Sequence, residues 1–309
     1  MKKWIAILLL LALLTGCNQN AATPTTPAVP SQPAVSVEPT EPEQNQEEEM
    51  LFVHFIDVGQ ADCTLLKLGD LDILIDGGNG ADGYLVSDYL IRLGVDDIEL
   101  MVATHPHEDH YGGLPTVLRQ VKTEAVWVTT NGFVNSLYSN FCTTAQNAGL
   151  KPTIPEVGTI FSQDGLTLTV LGPVKEYEAY EDPNDTSLVI KAEYGQHKFL
   201  FTGDMETLAE HDLLATGTDL SADVLKVGHH GSYSSSSVQF LQAVGAQYGV
   251  IHVGRDNDYG HPHSAAMNRL LGAEITLLRT DRMGNVVIGS DGEQLAFMWS
   301  FYNAYPQER

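Results

Sequence analysis

A single stretch, Thr104-His-Pro-His-Glu-Asp-His-Tyr-Gly-Gly113, constrains this chain more than any other feature, because it carries His105, His107, Asp109 and His110 close together. Three imidazoles and a carboxylate at this spacing repel one another when protonated and compete for solvent when buried. Shared metal ions are therefore the economical explanation. A polar loop with incidental histidines is the alternative interpretation.

The flanking residues indicate where this stretch lies in the fold. An apolar run at 98–103 is typical of a buried strand, and residues 113–120 resemble the start of a helix. The stretch is thus expected at the carboxyl end of a strand, where α/β folds place their chemistry. On an extended segment His105 and His107 project to one side, whereas Asp109 and His110 point to a neighbouring position. The spacing predicts two adjacent metal sites.

The first 17 residues have the pattern of an exported lipoprotein. A short basic head precedes an apolar run at 5–14, which is shorter than the about 20 residues that cross a bilayer. The run ends in Leu14-Thr-Gly-Cys17, which resembles a bacterial lipobox, so Cys17 is predicted to be the lipidated N-terminus. Ordinary signal cleavage beside a chance cysteine is the alternative. The mature protein is expected on the extracytoplasmic face of the cell membrane, held by its lipid anchor only.

The next segment and the net charge bound the folded part. Residues 18–49 are rich in Ala, Thr, Pro, Gln and Glu, so they are predicted to be a disordered linker, and residues 50–309 one large domain. The whole chain carries a net charge of −24, of which about −20 belongs to the domain after two leader lysines and six linker glutamates are allowed for. Such a domain repels polyanions, so high-affinity, non-specific binding of DNA is not expected.

The remaining pattern predicts a mixed fold. Short strands joined by tight turns are followed by alternating helices and strands, and this order occurs twice, which suits two sheets packed face to face with helices outside. Asp76 enters a Gly-Gly turn beside the histidine-rich stretch and is predicted to orient a histidine. A two-residue hairpin turn after Tyr194 pairs Ser187 with Asp204, which brings Asp185 near Asp204 as well. Cys63 and Cys142 are expected to be free thiols.

These motifs together resemble the metallo-β-lactamase superfamily. The matching residues are Asp76 in Ile-Asp-Gly-Gly, the histidine-rich stretch, Asp204 in Thr-Gly-Asp, and the late His229. Further motifs are similar to the hydrolase domain of the ComEC competence proteins, namely Asp-Val-Gly-Gln-Ala-Asp, Asn-Asp-Thr-Ser-Leu and Val-Gly-His-His-Gly-Ser. The resemblance implies a four-layer αββα sandwich with two divalent metal ions, zinc or manganese, at the sheet edge.

The resemblance also implies a ligand set, which is, in chain order, His105, His107, Asp109, His110, Asp204 and His229. His105 and His107 would hold one ion. Asp109, His110 and His229 would hold the other, and Asp204 would bridge the two ions. Many members have a further histidine where this chain has Asn184-Asp-Thr186. Asp185 is predicted to substitute there as an oxygen ligand, and an oxygen-richer site favours manganese weakly. The alternative is a loosely held first ion.

Residues for catalysis follow from the same set. Asp109, His230 and His261 are the predicted catalytic residues, and Ser187 and Ser232 are predicted to support the ligands. A phosphodiesterase or nuclease acting on a small phosphodiester or nucleic acid is the favoured function. A hydrolase of lactones, thioesters or β-lactams and a non-catalytic binding protein with a depleted metal site are the alternatives. The sequence does not identify a protein partner.

Overall fold

The computed structural model describes residues 49–129 and 135–297. The predicted signal peptide, the lipidated Cys17 and nearly all of the predicted linker lie outside the described residues. In chain order the strands are β1 Leu51–Phe55, β2 Thr64–Leu68, β3 Leu71–Ile75, β4 Asp97–Ala103, β5 Lys122–Val128, β6 Ile160–Gln163, β7 Leu166–Gly172, β8 Val189–Tyr194, β9 His197–Phe201, β10 Val224–Lys226, β11 Tyr248–Ile251, β12 Thr276–Arg279, β13 Val286–Ser290 and β14 Leu295–Phe297.

The helices alternate with these strands. They are α1 Gly83–Arg92, α2 Glu108–Tyr111, α3 Leu114–Gln120, α4 Ser136–Asn147, α5 Thr207–Ala215, α6 Val238–Val244, α7 Ser264–Gly272 and α8 Thr280–Met283. None of the helices in the described ranges is both long and apolar enough to cross a membrane. Cys63 is a buried free thiol and Cys142 is a half-buried one.

Two seven-stranded sheets form the centre of the fold. One has the strand order β14-β13-β1-β2-β3-β4-β5 and the other has β12-β11-β10-β9-β8-β7-β6. In the first sheet β3, β4 and β5 are parallel, and in the second β9, β10, β11 and β12 are parallel. The carboxyl ends of parallel strands lie at one edge of a sheet, so residues that follow these strands converge there.

Three apolar clusters show that the architecture has four layers. Alternate residues of the strands, such as Leu51, Val53 and Phe55 in β1, fill a cluster between the two sheets. Residues pointing the other way, such as Leu74 in β3, pack with α1, α3 and α4 on the outer face of the first sheet. Leu200 in β9 packs with α5, α6 and α7 outside the second. The predicted αββα sandwich is confirmed, and the period-2 alternation of the strands is its cause.

The hairpin of β8 and β9 has the predicted register, since Tyr194 pairs with His197. The paired ladder ends at Ile190 opposite Phe201, so Ser187 and Asp204 lie beyond it. Residues Pro183–Thr186 form a 3-10 turn, in which the Asp182 carboxylate accepts the Asn184 N–H and the Thr186 hydroxyl donates to the Pro183 carbonyl. Local side-chain hydrogen bonds of this kind compete with strand pairing.

Candidate metal centre

Residues that follow four parallel strands meet at the shared edge of the two sheets. Asp76 follows β3, and the histidine-rich stretch follows β4 in the first sheet. Asp204 follows β9, and the adjacent His229 and His230 follow β10 in the second sheet. The site therefore draws on both sheets, which explains why residues more than a hundred positions apart in the chain become neighbours.

The histidine-rich stretch is held by backbone contacts from two directions. The Gly77 N–H donates to the His110 carbonyl at 2.9 Å, and the Asp62 N–H donates to the Asp109 carbonyl at 3.0 Å. Gly113 is required for this approach, because a Cβ at that position would lie 2.0 Å from the Gly77 carbonyl oxygen. The glycines of the motif therefore serve close backbone packing.

One carboxylate oxygen lies at the centre of the cluster. The Oδ2 of Asp204 is 3.3 Å from the Nε2 of His110, 3.5 Å from that of His230, and 3.9 Å from that of His105 and of His229. Two ligands that each lie about 2.1 Å from one metal ion are roughly 3–4 Å from each other. Asp204 is thus placed to bridge two ions.

The two halves of the cluster correspond to two candidate sites. The Nε2 of His105 lies 3.1 Å from the Nδ1 of His107, and imidazole nitrogens at this distance share either a proton or an ion. On the other side, one ligand atom from each of four residues lies within 4.8 Å of the others; these residues are Asp109, His110, Asp204 and His230. The ligand roles themselves stay predictions.

Hydrogen bonds orient two of the histidines, His110 and His230. Asp76 accepts a 2.8 Å hydrogen bond from the Nδ1 of His110 and also bonds the Thr104 backbone and hydroxyl. The Nδ1 of His230 donates to the His252 carbonyl at 3.0 Å. When Nδ1 carries the proton in this way, the lone pair of Nε2 is free to face a metal, so the tautomers follow from these partners.

The structure gives the two adjacent histidines, His229 and His230, different surroundings, while their ligand and catalytic roles stay predictions. His230, predicted as a catalytic donor, is the one in the four-residue group, and its Nε2 lies 3.2 Å from the Oδ2 of Asp109. His229, predicted as the ligand, is bound through Nδ1 to Glu206 at 2.9 Å and its side chain is 22% exposed. Both residues have left-handed backbone, with φ of 48° and 50°. That conformation costs roughly 1–2 kcal/mol per residue and turns the two rings in different directions.

Asp185, predicted as a substitute oxygen ligand, has backbone partners in the structure. Its Oδ1 accepts the backbone N–H groups of Glu206 at 3.0 Å and Ala209 at 3.3 Å, so it satisfies the start of α5. Asp185 is not among the described residues whose ligand atoms lie close enough together to share a metal ion. The helix needs acceptors for its first N–H groups, and this need accounts for Asp185 without a metal.

The two predicted supporting serines lie at different distances from the cluster. Ser187 accepts the Asp204 N–H at 3.0 Å and donates to the Asn184 carbonyl, which holds the bridging aspartate directly. Ser232 contacts Ser234, whose hydroxyl donates to Glu206 at 2.7 Å. The Ser234 hydroxyl also lies 3.4 Å from the Nδ1 of His229, so the Ser232 side chain reaches that ring through Ser234.

The charges of the cluster fit a pair of divalent ions. Burial lowers the pKa of His230, but the carboxylates of Asp204 and Asp62 more than offset this and raise it to about 10. Burial raises the pKa of Asp204, but the nearby imidazoles, His110 first, hold it well below its usual range. Within the described residues, the Nε2 of His110 and the Oδ1 of Asp204 are buried without a hydrogen-bond partner. Buried nitrogen and oxygen donors left unpaired in one place suit zinc or manganese.

His261, predicted as a catalytic residue, lies beside the rings of His229 and His230. Burial first, and then the charges of the neighbouring His230 and His229, lower its pKa from 6.5 to about 4. The ring is therefore neutral at pH 7. The Gln60 side-chain amide lies 3.2 Å from Nδ1, and donation by that amide leaves the proton on Nε2. His261 is suited to donate a hydrogen bond rather than to release a proton.

Sequence reasoning missed three charged residues of the site. Lys226 pairs with Asp62, donates to the Gly203 carbonyl at 2.9 Å, and is 3% exposed. Glu206 orients His229. Asp62 ends the Asp-Val-Gly-Gln-Ala-Asp motif, for which the sequence predicted no role in the site. Lys226 lies just before the late histidines. The lysine that ends the apolar strand β10 is the signal that was available for Lys226.

Comparison with protein-family models and known proteins assigns the fold family. A model described as the metallo-beta-lactamase superfamily matches residues 56–255, and a model of the prokaryotic membrane lipoprotein lipid attachment site matches residues 1–18.

Competence protein ComA of Neisseria gonorrhoeae is 31% identical over 75% of this chain and 31% of its own length. ComE operon protein 3 of Bacillus subtilis is 30% identical over 64% of this chain and 25% of its own length. Recombination protein 2 of Haemophilus influenzae is 30% identical over 71% of this chain.

This chain thus spans between 25% and 31% of the length of these curated relatives. Among solved structures, the metallo-beta-lactamase fold protein YhfI of Bacillus subtilis has a TM-score of 0.52 at 12% identity, covering 78% of this chain and 100% of that one. A mutant of the CmlA beta-hydroxylase has a TM-score of 0.51 at 12% identity, covering 81% of this chain and 54% of that one. The N-terminal match agrees with a lipoprotein, and the family model covers most of the domain. The chain belongs to the metallo-β-lactamase superfamily.

Proposed function

We propose that this protein is a metal-dependent phosphodiesterase that cleaves nucleic acid at a two-metal centre. The observation that carries the proposal is the Oδ2 of Asp204, which faces four imidazole nitrogens at 3.3–3.9 Å. A carboxylate in that position is suited to hold two ions side by side. The named relatives, which are competence and recombination proteins, favour a nucleic acid as the substrate.

The residues that would hold the ions fall into two sets joined by Asp204. His105 and His107 form the first set, and the second consists of Asp109, His110 and His230. When bound, a pair of divalent ions lowers the pKa of a water molecule and stabilises negative charge on phosphoryl oxygens. Zinc and manganese are both compatible with this mixture of nitrogen and oxygen donors.

The chain's own contribution is to orient and to donate. Asp76 holds the ring of His110 so that its Nε2 faces Asp204. The neutral ring of His261, with its proton on Nε2, is a hydrogen-bond donor for an oxygen of the substrate. The Cys63 thiol does not compete as a nucleophile, because burial raises its pKa well above the usual value.

We also propose that the protein works outside the cytoplasmic membrane, tethered through Cys17. The lipoprotein attachment match at residues 1–18 supports the tether. The extracytoplasmic face follows from export, since lipobox cysteines are modified on exported chains. Fractionation and metabolic labelling with a fatty-acid analogue, with Cys17→Ser as the control, test this; release of the Cys17→Ser protein from the membrane is the expected result.

One experiment tests the activity against its alternatives. Metal content is measured after purification with excess zinc or manganese, and hydrolysis is measured on single-stranded DNA, RNA, cyclic dinucleotides, lactones, thioesters and nitrocefin. We expect about two ions per chain and cleavage of phosphodiesters. Asp109→Ala should abolish the cleavage, whereas Asp88→Ala, which removes an exposed carboxylate of α1, should not.

Three results would contradict the proposal. Unchanged cleavage in Asp109→Ala would separate the activity from the cluster. Hydrolysis of the acyl substrates alone would make the protein a hydrolase of lactones, thioesters or β-lactams. Less than one ion per chain with no turnover would make it a binding protein with a depleted site.

A further inference from the structure

Four aromatic rings form a continuous cluster beside the metal centre. The ring centroid of Tyr233 lies 5.1 Å from that of His263, which lies 4.7 Å from that of His261. His261 is in turn stacked on Tyr259, with centroids 5.7 Å apart and an angle of 20° between the planes. We call these four residues the aromatic rim. Separations of this size are those of favourable aromatic pairs.

The aromatic rim begins at the candidate ligands themselves. The ring of His261 is stacked on that of His230 at 6.1 Å and 25°, and it meets the ring of His229 edge-on at 5.5 Å. A line of rings therefore leads from the second metal site through His261 to Tyr259. A group bound at the metals has the rim as its immediate neighbour.

The outer rings of the aromatic rim face solvent. Tyr259 is 69% exposed and Tyr233 is 66% exposed, the two highest values among the large hydrophobic side chains that the structure describes as exposed. Folding gains little from rings left in water, and adjacent exposed aromatic groups form a patch that is typical of binding sites. Their faces are available to a flat ligand.

The acidic residues beside Tyr259 disfavour ligands that bind there through phosphate alone. Asp256 and Asp258 are exposed beside Tyr259, and the whole chain has a net charge of −24. A duplex presents a dense line of phosphates and hides the faces of its bases in the helical stack. An unpaired base presents an uncharged flat face, and every base stacks on an aromatic ring.

We propose that the aromatic rim binds an unpaired nucleobase of a single-stranded nucleic acid whose neighbouring phosphate lies at the metal centre. This inference rests on the proposed phosphodiesterase function and specifies its substrate. Stacking on the rings provides binding free energy that an acidic surface cannot provide through phosphate contacts. The line of rings leads outward and sets the direction in which the strand leaves the site. Single strands and frayed ends are therefore cleaved, and paired segments are not.

Binding is measured without turnover. A short single-stranded DNA with phosphorothioate linkages carries 2-aminopurine, whose fluorescence falls when the base stacks on a ring. We expect quenching by the metal-loaded wild-type protein. Tyr259→Ala should weaken binding about 5- to 150-fold, the range that corresponds to loss of one base–aromatic stack. Tyr259→Phe, which keeps the ring, should retain most of the affinity.

Two controls isolate stacking from folding and from the metals. An oligonucleotide with abasic residues offers the same phosphates without bases, so Tyr259→Ala should weaken its binding and its cleavage much less than those of the base-bearing oligonucleotide. Tyr84→Ala removes another exposed tyrosine, 65% exposed on α1, and should change neither. The kcat/KM ratio between base-bearing and abasic substrates is the second readout, and it should fall in Tyr259→Ala and in Tyr233→Ala.

The outcomes separate this inference from the proposed function. Cleavage of both substrates with no effect of Tyr259→Ala overturns the stacking role and leaves the phosphodiesterase intact. An equal loss on base-bearing and abasic substrates also overturns it, since a structural defect explains that result. Quenching that Tyr259→Ala abolishes, without any hydrolysis by the wild type, supports the stacking role and overturns the activity. A wild type that neither quenches nor cleaves overturns both.

Discussion

The ammonium of Lys226 lies 3.7 Å from the Oδ1 of Asp204, so the two oxygens of this carboxylate have different partners. Its Oδ2 faces imidazole nitrogens, whereas its Oδ1 faces a buried positive charge. Burial lowers the pKa of Lys226, but Asp62 and Asp204 more than offset this and raise it, which keeps the ammonium charged. Lys226 thus offsets part of the buried negative charge of Asp62 and Asp204.

Replacing Lys226 by methionine should destabilise the protein, because the substitution leaves Asp62 and Asp204 buried without their cation. Removing one partner of a buried ion pair costs about 3–5 kcal/mol. We expect a loss of that order in the free energy of unfolding, measured by urea denaturation with saturating zinc. Adding Asp62→Asn to Lys226→Met should recover part of the loss. A single variant as stable as the wild type would show that the pair carries no net stability.

The two adjacent histidines should differ in their effect on metal content. Because His230 and not His229 lies in the four-residue group, His230→Ala should lower the metal content by about one ion per chain. His229→Ala should retain both ions at saturating metal concentration, with weaker binding. Inductively coupled plasma mass spectrometry on the two variants gives the answer, and the reverse result would restore the ligand role to His229.

Asp185→Ala should affect stability rather than metal binding. Its carboxylate accepts two backbone N–H groups at the start of α5 and resembles a helix cap in this respect. Loss of a capping side chain costs about 0.5–2 kcal/mol. We expect a destabilisation in that range with the metal content unchanged. A loss of one ion instead would assign Asp185 to the first metal site.

His54 should make the protein sensitive to acid. Burial first, and then the charge of Lys67, lower its pKa from 6.5 to about 3. The unfolded chain gains a proton on His54 as the pH falls below 6.5, whereas the folded protein stays neutral there, so the free energy of unfolding decreases from pH 6.5 downward. The decrease between pH 7 and pH 5 is about 2 kcal/mol.

The matched variant for this prediction is His54→Gln, whose amide can still meet the Tyr89 hydroxyl that contacts the Nδ1 of His54. Urea denaturation of both proteins at pH 7 and pH 5 measures the effect. Both proteins have the same metal sites, so the pH dependence of those sites cancels when the change in the free energy of unfolding of one protein is subtracted from that of the other. Parallel slopes for the two proteins would rule out His54 as the source.

Much of the local structure could be predicted from the residue pattern alone. The alternation of apolar residues placed the strands and the two sheets, since a strand buries every second side chain. The two-residue turn after Tyr194 set the β8–β9 register and so brought Ser187 to Asp204. The histidine-rich stretch signalled metal ions because its residues are neighbours in the chain, and their proximity does not depend on how the rest folds.

What the pattern could not supply is the direction in which side chains point when they come from different sheets. His229 and His230 are adjacent and chemically identical, and only their left-handed turn between β10 and α6 decides which ring meets Asp109. Lys226 and Asp62, and the aromatic rim, likewise depend on contacts between segments far apart in sequence. Periodicity and turn chemistry are local properties of a chain, whereas the orientation of a ring at a joint between two sheets is set by the packing of both.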